Sequence, residues 1–159
     1  MFLWSLVDID ILDINMNASE MWELFPDKKD SDCYQSWAYG AAADQLADLT
    51  LRGIKSATAS AYPFYEIENE PLPTIGEYSI ILNGKDEAVC IIQTTNVELI
   101  PFKDVDAHHA YLEGEGDRSL DYWRKVHEEF FTHELQSIHQ TFDENMIVVC
   151  EKFKVVYPK

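Results

Sequence analysis

The sequence predicts an α+β fold, a small β-barrel with helices packed around it. Short apolar runs typical of strands dominate the middle and the end of the chain, and Asn83-Gly84, a frequent hairpin turn, separates two of them. Helical periodicity is confined to the first third and to one long stretch near the end. With 159 residues, 47% of them hydrophobic, the chain is sized for one domain with a sizeable core.

The first third is predicted to be mainly helical. A short helix covers residues 17–24 and stops near Pro26. A second helix runs to Gly53, a residue suited to a helix C-terminus. Its apolar stripe consists of Tyr34, Trp37, Ala38, Ala41, Leu46 and Leu49.

The remaining two thirds alternate short strands with helical turns. The segment 61–69 is ambiguous, with one helical turn or two, and residues 97–100 continue or follow the second strand of the hairpin. Strands are predicted over residues 56–60, 78–82, 88–94, 146–150 and 153–157. Helical segments are predicted over residues 102–105, 107–112 and 119–138.

The composition restricts the classes of partner. The chain carries 29 acidic against 12 basic residues, a net charge of −17. Affinity for nucleic acid comes mainly from Lys and Arg that neutralise phosphates. Long RNA is therefore disfavoured as a partner, whereas a small neutral or cationic molecule meets no such barrier.

The N-terminal segment and the cysteines indicate a cytoplasmic protein with no membrane association. The first 15 residues lack the basic start of a secretory signal, and Asp8, Asp10 and Asp13 interrupt their apolar run. We predict that residues 1–15 form an N-terminal extension and that residues 16–159 form the single domain. Three cysteines without paired spacing indicate reduced thiols rather than disulfides or metal ligands, and no metal or cofactor is expected.

Two runs contain candidate catalytic residues. The first, GIKSAT, places Lys55 three residues before Thr58, and the second, EGEGD, contains Glu113 and Glu115. A lysine can ease the ionisation of a hydroxyl, and a carboxylate can move a proton. Taken alone, the first run is usual for an exposed turn between a helix and a strand, and the second for a solvated turn.

The late helix carries His127 within the run HEEFFTH. The run HEEFFTH lacks the spacing of a zinc-binding HExxH motif. His127 instead shares a helical face with Trp123 and Phe131, which favours a histidine in the core or lining a pocket.

Together these runs resemble the ASCH-domain family of the PUA-like superfamily, in particular its longer bacterial group. The resemblance covers about residues 34–157 and is carried by GIKSAT, by the stretch EGEGDRSLDYW with the following HEEFF, and by the closing MIVVCEKFKVVY. It implies a small barrel with a cleft beside the GIKSAT turn. Some members of the family are amidohydrolases that deacetylate acetylcytidine, and others are described as ribonucleases or RNA-binding modules.

The resemblance to the amidohydrolases implies a catalytic set of Lys55, Thr58 and Glu113. Thr58 is then the nucleophile or positions a water, Lys55 stabilises its alkoxide or acts as its base, and Glu113 shuttles a proton. Backbone N–H groups of the turn from Lys55 to Thr58 are expected to hold the oxyanion. The chain departs from the small amidohydrolases in having Ser60 where they have an arginine and in carrying the acidic turn, so the substrate remains open.

The sequence therefore favours a hydrolase of a small amide or acyl substrate, such as a modified nucleoside. The alternatives are an RNA-binding module or ribonuclease, and a ligand sensor without turnover. Arg118 is expected at the cleft rim or in support of the acidic turn, because three nearby acids repel unless paired. Tyr62, Trp123 or His127 is expected to stack on a planar base. The predicted substrate-binding residues are Ser60, Tyr62, Glu115, Arg118, Trp123 and His127.

Overall fold

The computed structural model describes residues 15–159, which form one mixed sheet flanked by helices. Within these residues the five strands are β1 (Tyr34–Ala38), β2 (Ala57–Ala61), β3 (Tyr78–Leu82), β4 (Ala88–Pro101) and β5 (Ile147–Tyr157). The five α-helices are α1 (Ala18–Leu24), α2 (Ala43–Leu51), α3 (Tyr62–Glu68), α4 (Ala107–Glu113) and α5 (Leu120–Gln136), and a 3-10 helix spans Phe102–Asp104.

The sheet has the strand order β1-β3-β4-β5-β2 and curls into a half-barrel. All neighbouring strands are antiparallel except β1 and β3, which run parallel. The long strands β4 and β5 pair at the centre of the curled sheet, and their register is broken on both sides of Thr94. This architecture confirms the predicted α+β class with helices around a small barrel, although β1 and β2 do not pair across the gap in the described residues.

The predicted hairpin at Asn83-Gly84 is confirmed. Strands β3 and β4 pair antiparallel, with Ile80 opposite Ile91. The connection is longer than the two-residue turn that the dipeptide suggests, because Glu87 N–H donates to Asn83 Oδ1 and holds a five-residue loop.

One long helix was predicted wrongly, and one strand was predicted as two strands. The supposed helix from Tyr34 to Gly53 is strand β1 followed by the shorter helix α2, because residues 34–38 find a partner in β3. A pairing partner distant in sequence decides between helix and strand for such a short apolar run. The two closing strands are the single continuous strand β5.

The domain begins at its N-terminal side with a capped helix. The Asn17 side chain accepts a hydrogen bond from Glu20 N–H, and the Glu20 side chain accepts one from Asn17 N–H, which forms a capping box for α1. Met16 is buried and its carbonyl accepts from Ala88 N–H at the edge of β4. The predicted extension 1–15 lies, except for Asn15, outside the described residues and stays a prediction.

Helices α4 and α5 cover one face of the sheet and carry the polar groups described below. The apolar core under them combines Phe131 of α5 with Val148 and Cys150 of β5 and with Ala61 of β2. Burial of this face fixes α5 against β2 and β5, and thereby places the inward side chains of both helices next to the segment that precedes β2. Across residues 15–159, every helix is too short or too polar to cross a bilayer.

Candidate functional site

The turn before β2 and the end of α4 are tied together through the backbone. Helix α2 gives way to Gly53, which has a positive φ of 74°. Lys55 N–H then donates to Leu49 O, and Ser56 N–H donates to Leu112 O at the end of α4. These bonds place Lys55 directly beside the last turn of α4.

Gly114 allows the close approach of the two segments. It has a φ of +73°, and a Cβ there would lie 2.5 Å from the backbone oxygen of Ile54. Only glycine combines this left-handed conformation with the absence of a side chain. The acidic turn can therefore pack directly on the turn that carries Lys55.

Lys55 is buried and its ammonium lies between two carboxylates. Its Nζ is 3.2 Å from Glu113 Oε1, 3.0 Å from Glu115 Oε2 and 3.4 Å from the backbone oxygen of Glu113. Nζ also sits 5.2 Å from the ring centre of Tyr39. With a side chain only 1% exposed, Lys55 spends all three N–H donors on these acceptors.

Glu113 is equally buried, and donors surround its carboxylate. Oε1 faces Lys55 and, at 3.5 Å, the Nε2 of His127, whereas Oε2 accepts from His109 Nε2 at 2.8 Å and from Trp123 Nε1. Burial by itself raises the pKa of Glu113, but the Lys55 ammonium and then the two imidazoles hold it well below its usual range. Glu113 is therefore an ionised carboxylate whose four acceptor positions are occupied.

His127 is held between a backbone carbonyl and Glu113. Its Nδ1 donates to the carbonyl of Trp123 at 2.8 Å, which fixes a proton on that nitrogen, and its Nε2 faces Glu113. Burial lowers the pKa of His127, but the hydrogen bond and charge of Glu113 outweigh burial and raise it. The imidazole stacks on the indole of Trp123 with ring centres 4.2 Å apart.

Glu115 is the one member of the cluster with appreciable solvent access. Its side chain is 19% exposed, against 2% for Glu113, and Lys55 is its partner. It lies between Gly114 and Gly116, which both have positive φ. Glu115 is thus the carboxylate that can leave Lys55 at least cost.

Arg118 donates to backbone carbonyls of α4 and of the turn that carries Lys55. Its Nε donates to Tyr111 O and its NH2 group to Ile54 O, and the guanidinium lies 3.7 Å from the ring centre of Tyr111. Arg118 thus joins α4 to the turn before β2, and its place at the cleft rim or in support of the acidic turn stays a prediction. The expected pairing of Arg118 with the nearby acids is wrong, because no ion pair joins Arg118 to an acid within residues 15–159.

Three predicted site residues lie outside the Lys55 cluster. Within the described part of the chain, Thr58 makes no hydrogen bond to Lys55 or Glu113, and it faces Glu151 on the neighbouring strand instead. Ser60 shares a hydrogen bond with Tyr65 OH, and Tyr62 is half-buried at the start of α3. Lys55, Glu113, Glu115, Trp123 and His127 come together, whereas Thr58, Ser60 and Tyr62 make no hydrogen bond to this cluster within residues 15–159.

Two expected functions of individual groups do not fit the geometry. The amides of Lys55 and Ser56 already donate to backbone carbonyls, so they are not open to an oxyanion. Trp123 is 2% exposed and covered by His127, so it cannot stack on a ligand base without rearrangement. Tyr62 remains the predicted aromatic with access to solvent.

Three side chains could together bind a metal ion, but the Lys55 ammonium occupies the same place. Ligand atoms of Glu113, Glu115 and His127 lie within 4.8 Å of one another. The Lys55 ammonium already bridges the two carboxylates, and His127 Nε2 faces Glu113 Oε1 at 3.5 Å. The residues present therefore fit a lysine-centred cluster better than a metal centre.

Comparison with known proteins identifies the family. The family model for the ASCH domain matches residues 35–157. The chain belongs to the ASCH-domain family. The matched stretch contains both the Lys55 segment and the acidic turn, as well as all five strands except the first residue of β1.

Solved ASCH relatives share the fold over most of their length. An ASCH domain from Lactobacillus crispatus JV V101 is 35% identical, with a TM-score of 0.75 over 78% of this chain and 80% of that chain. Protein EF3133 from Enterococcus faecalis V583 is 34% identical, with a TM-score of 0.74 over 86% of each chain. The hypothetical protein PH0355, at 15% identity and a TM-score of 0.51 over 77% of this chain and 99% of that chain, shares the fold alone. No functionally curated protein matches the chain significantly.

Sequence reasoning on this ASCH domain missed two buried polar residues. His109 was not among the predicted site residues, although the spacing of four residues to Glu113 on a helix is a signal for contact. Glu151 was placed between two predicted strands, whereas it is a buried residue within the continuous strand β5.

Proposed function

We propose that this ASCH-domain chain is a hydrolase of a small amide or acyl substrate, such as an acylated nucleoside. The observation that carries the proposal is the buried Lys55 ammonium, held by one fully buried carboxylate and one that has access to solvent. A fixed positive charge in a site that excludes water stabilises negative charge that develops during reaction.

Lys55 fits the role of an electrostatic stabiliser. All three of its N–H donors are engaged, so a substrate must displace one acceptor before it can bind. Glu115 is the partner that a substrate carbonyl oxygen entering from solvent would replace. The carbonyl oxygen would then meet the ammonium as it becomes an oxyanion.

Glu113 fits the role of an anchor better than that of a proton shuttle. A shuttle needs an open acceptor position and a pKa near the working pH. Glu113 has its acceptor positions filled and its pKa held low, so it fixes Lys55 in place. Glu115, once released from Lys55, is the carboxylate of this cluster that can exchange protons with solvent.

Thr58 remains the proposed nucleophile, or the group that positions an attacking water. It is half-buried on β2, two residues from the end of the Lys55 turn, and its hydroxyl is uncommitted among the described residues. Ser60 and Tyr62, which follow Thr58 closely in the sequence, are the proposed contacts for the rest of the substrate. The strongly negative chain disfavours a substrate with many phosphates.

The test is a screen of acylated nucleosides, including N4-acetylcytidine, for hydrolysis by the wild type and by Lys55→Ala. We expect hydrolysis of at least one compound, and a fall of about 10²–10³-fold in the variant, the usual loss for one stabilising donor. Lys85→Ala, at an exposed lysine, is the matched control and should keep the wild-type rate.

Folding must be checked in the same samples, because Lys55 is buried. Circular dichroism of each variant serves this purpose, and Thr58→Val provides a second loss-of-function variant at a half-buried position. A wild type that hydrolyses no compound, or a folded Lys55→Ala that keeps full activity, would contradict the proposal. Binding of a nucleoside without turnover would instead support a ligand sensor.

A further inference from the structure

Glu151 is a buried carboxylate outside the Lys55 cluster. It lies in the middle of β5, between Cys150 and Lys152, and is 7% exposed. A carboxylate in such a place costs folding free energy unless it is well paired. Glu151 is not well paired: within residues 15–159, Thr94 Oγ1 is the side-chain group that donates to it, at 2.6 Å to Oε1.

The strand register places Glu151 next to Thr58. The two residues are directly opposite each other in the antiparallel pair of β2 and β5. Directly opposite residues project from the same face of a sheet with Cβ atoms about 4.5–5.5 Å apart. The carboxylate and the threonine hydroxyl therefore share one small region of the sheet.

The polar character of this region continues along the same face. Ser60, two residues after Thr58, shares its hydroxyl with Tyr65 OH at 2.9 Å. Ala59 and Ala61, on the opposite face of β2, pack into the apolar core under α4 and α5. The face with Thr58 is thus a polar strip formed by Thr94, Glu151, Thr58, Ser60 and Tyr65.

We propose that Glu151 is the general base for Thr58 in the reaction that the proposed function assigns to this chain, on which this inference rests. Its Oε1 is held by Thr94, which leaves Oε2 for the Thr58 hydroxyl, directly or through one water. Glu113 cannot serve in this way, because its acceptor positions are filled by the Lys55 cluster.

The proposed reaction is an acyl transfer to Thr58 followed by hydrolysis. Glu151 takes the proton from Thr58 Oγ1 as that oxygen bonds to the substrate carbonyl carbon. The C–N bond of the substrate then breaks, and Glu151 gives the proton to the departing amine. A water attacks the acyl-threonine ester, loses its proton to Glu151 and releases the acid, and the proton returns to Thr58.

The electrostatic surroundings agree with this role. Burial raises the pKa of Glu151, the Thr94 hydrogen bond lowers it in part, and the nearby Glu77 adds to the rise. A carboxylate shifted toward neutral pH is a better base than one at its ordinary pKa. The contrast with Glu113, whose pKa is lowered, separates a group suited to catalysis from a group suited to anchoring.

The experiment compares Glu151→Gln with Glu98→Gln on two acyl donors. Glu98 is an exposed carboxylate on β4 opposite Cys150, on the other face of the sheet, and it serves as the matched control. With N4-acetylcytidine we expect kcat/KM to fall about 10²–10⁴-fold in Glu151→Gln, the usual contribution of a general base. Glu98→Gln should be unaffected.

The second donor, p-nitrophenyl acetate, tests the inference even if no nucleoside is hydrolysed. Mass spectrometry of the treated wild type should find an acetyl group on Thr58, and Glu151→Gln should acquire it much more slowly. Thr58→Val should remain unlabelled at that position.

The outcomes separate this inference from the proposed function. Nucleoside hydrolysis that depends on Lys55 but not on Glu151 overturns the role of Glu151 and leaves the proposed function standing. Absence of nucleoside hydrolysis overturns the proposed function, while slower labelling of Thr58 in Glu151→Gln still supports the base. Labelling that is absent from wild-type Thr58, or equal in wild type and Glu151→Gln, overturns the inference.

Discussion

Glu113 and Glu151 are buried carboxylates in opposite surroundings. Glu113 is surrounded by an ammonium, two imidazoles and an indole N–H, whereas Glu151 receives one hydroxyl. The first arrangement favours the charged form of the side chain and the second disfavours it, because burial removes the solvation of a charge. The two residues should therefore have opposite effects on stability.

Replacement of Glu113 by Gln should strongly destabilise the fold. The change leaves Lys55 and His127 without their buried counter-charge, and removal of one partner of a buried pair costs about 3–5 kcal/mol. Urea unfolding at neutral pH measures the free energy of unfolding. Glu151→Gln is the comparison and should leave it unchanged or higher, and a loss at Glu151 as large as at Glu113 would contradict this account.

His127 should give the fold a pH dependence above the ordinary histidine range. Its pKa is raised in the folded state, so its stabilising effect is fully present below about 6.5, the ordinary value. The effect is lost as the pH rises through the folded-state pKa. Urea unfolding from about pH 6 to pH 9 should show declining stability in the wild type.

The matched variants for this pH dependence are His127→Gln and His133→Gln. His127→Gln should flatten the decline, whereas His133→Gln, at an exposed position on the same helix, should keep it. An equal decline in all three proteins would exclude His127 as its origin.

At the level of single residues, the sequence located much of the charged cluster but not its pairings. The resemblance to the ASCH family directed attention to Lys55 and Glu113, and these side chains meet. Thr58 was grouped with them, yet the register of β2 turns it toward Glu151. Register depends on which strand pairs with which, and that information is not local to the GIKSAT run.

Two helix ends, at Gly53 and at Gly114, shape the region around Lys55. Both glycines have nearly the same positive φ, +74° and +73°. A Cβ at Gly53 meets nothing within 4 Å, whereas one at Gly114 meets the Ile54 backbone. A Cβ at Gly53 therefore incurs only the cost of the left-handed backbone conformation, whereas a Cβ at Gly114 also incurs the cost of a steric clash.

Replacement of each glycine by alanine should have unequal effects. Gly53→Ala should cost about 1–2 kcal/mol, the penalty of a left-handed residue that has a Cβ. Gly114→Ala should cost clearly more and should also impair hydrolysis, because the acidic turn must move away from the Lys55 turn. Urea unfolding of both variants measures this, and equal losses would contradict the packing described here.

At the level of elements, the sequence predicted those with strong local signals. The hairpin around Asn83-Gly84 and the long helix α5, with its N-cap Ser119, have such signals. Strand β1 does not: its tyrosine and tryptophan, three residues apart, fit a helical stripe equally well. Its state is decided by parallel pairing with β3, more than 40 residues away.

The whole molecule carries a net charge of −17, and its arginines near the site are engaged with backbone carbonyls. Phosphate binding needs free cations at the surface. We expect no tight binding of single-stranded or duplex RNA at physiological salt. A titration with labelled oligonucleotide at two salt concentrations tests this, and sub-micromolar affinity with a steep salt dependence would place RNA binding first.

In the proposed reaction, a substrate carbonyl oxygen takes the place of Glu115 at the Lys55 ammonium. The most direct measurement is a crystal structure of the Thr58→Val variant with N4-acetylcytidine. We predict the acetyl oxygen within about 3.2 Å of Lys55 Nζ, the range of a hydrogen bond, with Glu115 turned away and Glu113 in place. A nucleoside bound elsewhere while Lys55 keeps both carboxylates would contradict the claim.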